Sequence, residues 1–334
     1  MSDKALQTHV YETLTPDVVL DALSSLGLGV DGRLSALSSY ENRVYQVMLE
    51  DNSSVVAKFY RPERWSDAQI LEEHQFASEL IAQEVPLVGP LRLHGETLHH
   101  AQGFAFSVSP RRGGRMPELD DAEVLEWIGR FIARIHNVGA KHDFVARPTL
   151  DLNSFAIESR DWLIANSVIP LDQQTEWLEL CNQAIEIAQN SFAANRATHI
   201  RLHGDCHPGN ILWTPTDLPD GGPHFVDLDD ARMGPAIQDL WMLLSGERAQ
   251  RTQQLSILLD GYEQMRELNR NELNLIEPLR TLRLIHYSAW LARRKDDPAF
   301  MRHFSWFGSS DYWAGQTHML AEQCEAMQEE PLYV

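Results

Sequence analysis

One stretch limits the folds open to this chain more than any other: Arg201-Leu202-His203-Gly204-Asp205-Cys206-His207-Pro208-Gly209-Asn210-Ile211-Leu212-Trp213. A short apolar run leads into it and another leads out, so its middle reads as a loop between two short strands. The loop sets a carboxylate, Asp205, five positions before an amide, Asn210. Such a carboxylate can orient a hydroxyl and take its proton, and a nearby amide oxygen can ligate a hard cation. A second acidic cluster, Phe225-Val226-Asp227-Leu228-Asp229-Asp230, follows a turn-rich segment. Acidic runs are commonly solvated turns, but His-Phe-Val before this one reads as strand. His203, Cys206 and His207 are residue types that bind zinc, yet no fourth ligand accompanies them and a trio is not a closed site. His203 reads more simply as a core histidine that holds the loop by hydrogen bonds.

The chain has 334 residues, enough for one large domain or two lobes around a real core. Its net charge of -20 argues against nucleic acid, whose phosphates call for basic patches, and against an anionic membrane surface. No apolar run approaches the length of a membrane span, and residues 1–15 lack the basic-then-apolar layout of a signal peptide. No membrane insertion and a cytoplasmic location are expected. Cys181, Cys206 and Cys324 are an odd set with no Cys-x-x-Cys pair, which suits a reducing compartment without a disulfide framework. Neither a repeat nor a low-complexity segment stands out.

Residues 16–28 predict a helix, with Thr15 as cap, Pro16 at the first position and Gly27 and Gly29 as stops. Residues 34–40, 43–49 and 54–60 predict three strands, with a turn at Asp51-Asn52-Ser53. Between the first two lies Ser38-Ser39-Tyr40-Glu41-Asn42, whose hydroxyls and free amides suit phosphate oxygens but which read alone as an ordinary polar hairpin. The third strand carries Lys58 inside Val55-Val56-Ala57-Lys58-Phe59-Tyr60. Alternation puts Lys58 on the face of Val56 and Tyr60, where a charge is costly unless paired. The helix predicted over residues 66–83 carries Glu72, Glu73 and Glu79. Glu73 is the expected partner of Lys58 and Glu72 the close rival.

Strands are expected over residues 91–94, 97–99 and 103–109, then a hinge at Pro110-Arg111-Arg112-Gly113-Gly114-Arg115. The arginines suit a phosphate or acidic ligand, but read first as a solvated crossing. Beyond the hinge, helical periodicity covers residues 121–137, 153–166, 173–194, 250–267, 272–294 (broken or restarted at Pro278) and 311–328. A further helix starts near Pro235, where Asp239 is placed either to receive amides of the Asp205 loop or to cap its helix. The expected division is therefore an N-terminal lobe over residues 1–112 and a helical C-terminal lobe over residues 113–334.

The offset between Asp205 and Asn210, an acidic strand end at Asp227 and a lysine in a Val-Ala-x-Lys strand together resemble protein kinases. His-Gly-Asp-x-His-x-x-Asn followed by Val-Asp-x-Asp is similar to the aminoglycoside phosphotransferase and choline kinase branch of that fold. More narrowly, Ser39-Tyr40-Glu41-Asn42-Arg43-Val44-Tyr45-Gln46, Lys58-Phe59-Tyr60-Arg61-Pro62-Glu63-Arg64-Trp65, Ile70-Leu71-Glu72-Glu73-His74-Gln75-Phe76-Ala77 and Ile276-Glu277-Pro278-Leu279-Arg280 resemble the bacterial stress response kinase A family of the Rdo type. The resemblance implies an α+β, bilobal, protein-kinase-like fold. It further implies an ATP-dependent serine/threonine protein kinase acting in envelope stress and against programmed cell death. By position it makes Asp205 the proton acceptor, Asn210 and Asp227 the magnesium ligands, Asp227 a second active-site carboxylate and Ser39 the ATP-contact residue. Lys58 holding the phosphates and Glu73 fixing Lys58 follow from the wider fold's logic. Expected partners are ATP, Mg2+ and a protein bearing serine or threonine acceptors, with the enzyme a monomer.

Only four residues, Ala231 to Gly234, separate Asp230 from Pro235. That leaves no room for the long activation segment of a regulated protein kinase, which favours a rival: a small-molecule kinase acting on an amino sugar, choline or another alcohol. A second rival, a non-catalytic ATP-binding module, conflicts with the full set of chemical groups.

Overall fold

In the computed structural model, residues 10–297 and 300–334 are described. The chain runs α1 (Pro16–Ser25), β1 (Val30–Ala36), β2 (Arg43–Leu49), β3 (Ser54–Phe59), α2 (Asp67–Ala82), β4 (His99–Ala101) and β5 (Phe104–Pro110). Next come α3 (Ala122–Gly139), α4 (Glu158–Ala165), α5 (Leu171–Ala194), β6 (Ile200–Leu202), β7 (Ile211–Thr214), β8 (Gly222–Phe225) and β9 (Arg232–Gly234). The rest is α6 (Ile237–Trp241), α7 (Arg248–Tyr262), α8 (Ile276–Ala292), α9 (Phe300–His303) and α10 (Ser310–Ala326). The architecture is α+β. Two compact units form: one takes the chain up to Glu118 with Asn137–Arg147 and Asp205–Ala231, the other Leu119–His136, Pro148–Gly204 and the chain from Arg232.

In the first unit, five antiparallel strands pair in the order β1-β2-β3-β5-β4, which makes β3 the central strand. Val55, Ala57 and Phe59 are buried on one face of β3, and Lys58 therefore lies on the other, as the strand period requires. Phe59 stacks on Phe106 of β5 with ring centroids 5.0 Å apart. Val19 and Leu23 of α1 complete this core with Val47 and Val108. Thr15 caps α1, with Pro16 at its first position. Ser66 and Gln69 form a reciprocal capping box at the start of α2. The hairpin of β7 and β8 brings the Asp205 loop and the Asp227 turn into one local structure.

The strand expected over residues 91–94 does not form. The chain turns back at His94 and Gly95, both at positive φ, so Leu93 pairs only with Glu96. The neighbouring expectation shifts to His99–Ala101.

The second unit is helical around a short ladder in which β6 pairs with β9. Trp177 of α5 meets Trp313 of α10 edge to face at 5.9 Å, and both are fully buried. The helix expected from residue 153 opens instead as a π-helical turn, Asn153–Ile157, before α4. The stretch expected over residues 272–294 does restart, two residues before Pro278: the 3-10 stretch Arg270–Leu275 gives way to α8 at Ile276, and Pro278 sits in its first turn, where a missing N–H is tolerated. Helices α3 and α7 cross through glycines. A Cβ on Gly129 would lie 2.0 Å from Leu258 O, and one on Gly261 would lie 2.0 Å from Glu126 O. Gly261→Ala must part the two helices, so it is expected to lower stability by about 3 kcal/mol, read as a reduced midpoint in urea. An unchanged midpoint would show that the crossing yields easily. No helix among the described residues is long and apolar enough to cross a membrane.

Candidate active site

Lys58 Nζ donates to Asp227 Oδ1 at 2.8 Å and reaches Asp229 Oδ1 at 3.1 Å. Asp227 is held at φ 63°, ψ 69°, a left-handed conformation for a residue with a side chain. Such a conformation persists only where its surroundings over-determine it. Two arginines do so. Arg64 Nη1 donates to Asp229 Oδ2 at 2.6 Å, and its Nη2 donates to Asp230 Oδ1 at 3.0 Å. Arg147 Nε donates to Ala231 O at 2.6 Å, its Nη2 to Asp229 O, and its Nη1 to Gln69 O at 3.1 Å.

The charges follow this wiring. Burial alone would raise the Asp229 pKa, but Arg64 and then Lys58 outweigh it and hold the carboxyl down at about 2. Burial disfavours the Lys58 ammonium, yet Asp227 and Asp229 overcome that and raise its pKa well above the ordinary value.

The ion pair expected between Lys58 and Glu73 is not formed. The two aspartates take the amine, and the cation nearest Glu73 Oε2 is Arg147 Nη1 at 3.9 Å. Burial pushes the Glu73 pKa up to about 7, against the opposing pull of Lys58 and Arg147. Its rival Glu72 has a different role, accepting the amides of Val145, Ala146 and Arg147 at 2.6, 2.9 and 2.8 Å.

A carboxyl raised from its ordinary 4.5 to about 7 keeps its proton in the folded chain while the unfolded chain loses it. Stability should therefore fall as pH rises through that window, in total by on the order of 3 kcal/mol. Glu73→Gln should flatten that fall in a pH series of thermal midpoints. A series parallel to wild type would remove Glu73 as its source.

Asn210 is tied to both halves of the site. Its Nδ2 donates to Asp205 O at 3.0 Å, and its own carbonyl accepts Val226 N at 3.0 Å, one residue before Asp227. His207 Nδ1 accepts Gly209 N at 3.0 Å, and its Nε2 lies 3.5 Å from Asp205 Oδ2. His203 is fully buried. Its amide donates to Asp239 Oδ2 at 2.8 Å and the Gly204 amide donates to Asp239 Oδ1 at 2.9 Å, so Asp239 does receive the loop's amides. Ser39 lies in the turn between β1 and β2. Among the described residues no hydrogen bond or ion pair joins it to Lys58, Asp205 or Asp227.

The donors fit a divalent cation. With Asn210 Nδ2 committed to Asp205 O, the amide oxygen is turned away from that carbonyl. The Asp227 side chain is 46% exposed. Among the described residues no group of three His, Cys, Asp or Glu side chains forms a metal cage. Magnesium needs no such cage, since it binds through one or two protein oxygens plus phosphates and water.

Sequence reasoning overlooked Arg64 and Arg147. Arg64 lies in the Arg61-Pro62-Glu63-Arg64-Trp65 run, where an arginine six residues past a half-buried lysine is a usable signal. Arg147 lies in a loop and carries no local signal.

The phosphotransferase enzyme family matches residues 33–272. Stress response kinase A of Escherichia coli O157:H7 is 48% identical over 322 residues, covering 96% of each chain. The serine/threonine protein kinase RdoA of Salmonella typhimurium is 45% identical over 332 residues, covering 99% of this chain and 98% of the other. Among solved structures, the amicoumacin kinase hAmiN in complex with AMP-PNP, Ca2+ and Ami superposes with a TM-score of 0.69 at 20% identity, covering 95% of each chain.

Proposed function

We propose, from the premise that this chain belongs to the phosphotransferase enzyme family and within it to the stress response kinase A group, that it moves the γ-phosphoryl of ATP to serine or threonine of a protein in a stress response. Membership makes the chain a phosphotransferase enzyme. The observation that carries the reading is the Lys58 amine lodged between Asp227 and Asp229, at 2.8 and 3.1 Å. A lysine so placed is a ready point charge for phosphate.

In this reading Lys58 binds nucleotide phosphates and Glu73 tunes the field around it. Asp205 accepts the proton of the attacking hydroxyl, and Asn210 fixes the backbone at Asp205. Ser39 contributes to phosphate contact through its turn. Asn210 and Asp227 would hold magnesium, which offsets phosphate charge when bound. Positioning and fixed charge supply most of the rate. The division into an N-terminal lobe over residues 1–112 and a C-terminal lobe over residues 113–334 belongs to this proposal, as do a monomeric state and a cytoplasmic location.

One observation favours a small-molecule acceptor instead. After Asp230 the chain enters β9 at Arg232, so no long segment is available to receive a protein substrate. Purified protein with magnesium and labelled ATP separates the two. Label on serine or threonine of a basic protein acceptor is the expected result. ATP turnover stimulated only by amino sugars, choline or related alcohols would replace that acceptor class.

A further inference from the structure

Asp227, Asp229 and Asp230 place three carboxylates within four residues, more than Lys58 alone can balance. Arg64 takes the remainder. Beyond its contacts with Asp229 at 2.6 Å and with both Asp230 oxygens at 3.0 and 3.1 Å, its Nη1 lies 3.8 Å from Glu41 Oε1. Glu41 belongs to the β1–β2 turn that holds Ser39, and Arg61 grips the same carboxylate at 2.9 Å. The Arg64 side chain is only 14% exposed, and its guanidinium lies 5.3 Å from the Trp65 ring centroid.

We propose that Arg64 is a positioning residue for the divalent cation: by engaging Asp229 and Asp230 it keeps the Asp227 carboxylate of the turn for the metal and Lys58, and it registers that turn with the turn bearing Ser39. The inference rests on the phosphotransfer reading above. Without Arg64, Asp229 would be a buried carboxylate with Lys58 as its nearest remaining cation, and would draw the amine away from Asp227. The left-handed backbone at Asp227 would also lose one of the restraints that hold it. A lysine cannot reproduce the contact, because the guanidinium meets two carboxylates at once through a planar fork.

The test is binding of a fluorescent ADP analogue to the full chain at increasing magnesium, for wild type, Arg64→Ala and Arg64→Lys, with thermal unfolding of each. Arg64→Ala is expected to raise the half-saturating magnesium concentration by about tenfold or more. Arg64→Lys should recover part of the shift, and in turnover the loss should fall mainly on KM for ATP. A folded Arg64→Ala with an unshifted magnesium midpoint overturns the assignment. If that variant does not fold, Arg64→Lys carries the test: a midpoint still above wild type supports the assignment and an unshifted one overturns it. Wild type that binds no nucleotide at any magnesium concentration overturns the kinase reading and this proposal with it.

Discussion

Asp205→Ala is expected to lower phosphoryl transfer by roughly 10²–10⁴-fold, the range for losing a positioned general base, while leaving nucleotide binding close to wild type. The split follows from what the substitution keeps. Asn210 is anchored to the main-chain oxygen of Asp205 at 3.0 Å and meets the side chain only at 3.5 Å. Its own carbonyl still accepts Val226 N, so the Asp227 turn keeps its tie. Lys58 makes its ion pairs with Asp227 and Asp229. On the proposed assignment the alanine therefore removes the proton acceptor and leaves the Lys58–Asp227–Asp229 cluster in place. Asp205→Asn is the stricter form, since it keeps the shape and removes only the basicity. The measurement is single-turnover transfer beside equilibrium nucleotide binding. Near-wild-type turnover in either variant would take the base role from Asp205. A parallel collapse of binding would mean instead that Asp205 chiefly holds charge or structure.

The sequence was most legible where period and chemistry agreed. Alternation along β3 put Lys58 on the face opposite Val55, Ala57 and Phe59, and that is where it lies. The Ser66 cap, the helix behind it and the strands flanking Asp205 were readable because each depends on residues close in sequence. What failed depends on distant residues. The choice of Lys58 between Glu73 and the aspartates is decided by how an acidic turn folds far along the chain. Separations of 169 and 165 residues divide Lys58 from Asp227 and Arg64 from Asp229, and no local pattern spans them. The buried Arg147 serves backbone carbonyls, a task that any loop arginine can perform and that leaves no motif. The missing strand at residues 91–94 was lost to a tight turn, which apolar content alone does not reveal.

Asp239→Ala is expected to cost the folded chain on the order of 3–5 kcal/mol, the range for removing one partner of a buried charged contact, and to lower turnover as well. Asp239 is fully buried and accepts three hydrogen bonds: from His203 N at 2.8 Å, Gly204 N at 2.9 Å and His136 Nε2 at 3.1 Å. Alanine removes the acceptor of two backbone amides and an imidazole at a buried position, and each donor so stranded carries a desolvation cost of about 1–3 kcal/mol. The effect on turnover has a covalent route. Gly204 sits at φ 84° directly before Asp205, so the two amides fix the direction in which the chain enters Asp205, the residue proposed above to accept the proton. Asp239→Asn separates the two effects. It retains an oxygen for one amide but presents an NH2 group to the other, so both stability and turnover should fall between wild type and alanine. Denaturant midpoints and single-turnover rates for the pair of variants test this together. A stable Asp239→Ala with wild-type turnover would show that the loop holds its course without that carboxylate. A destabilised variant with unimpaired transfer below its unfolding transition would confine Asp239 to the core.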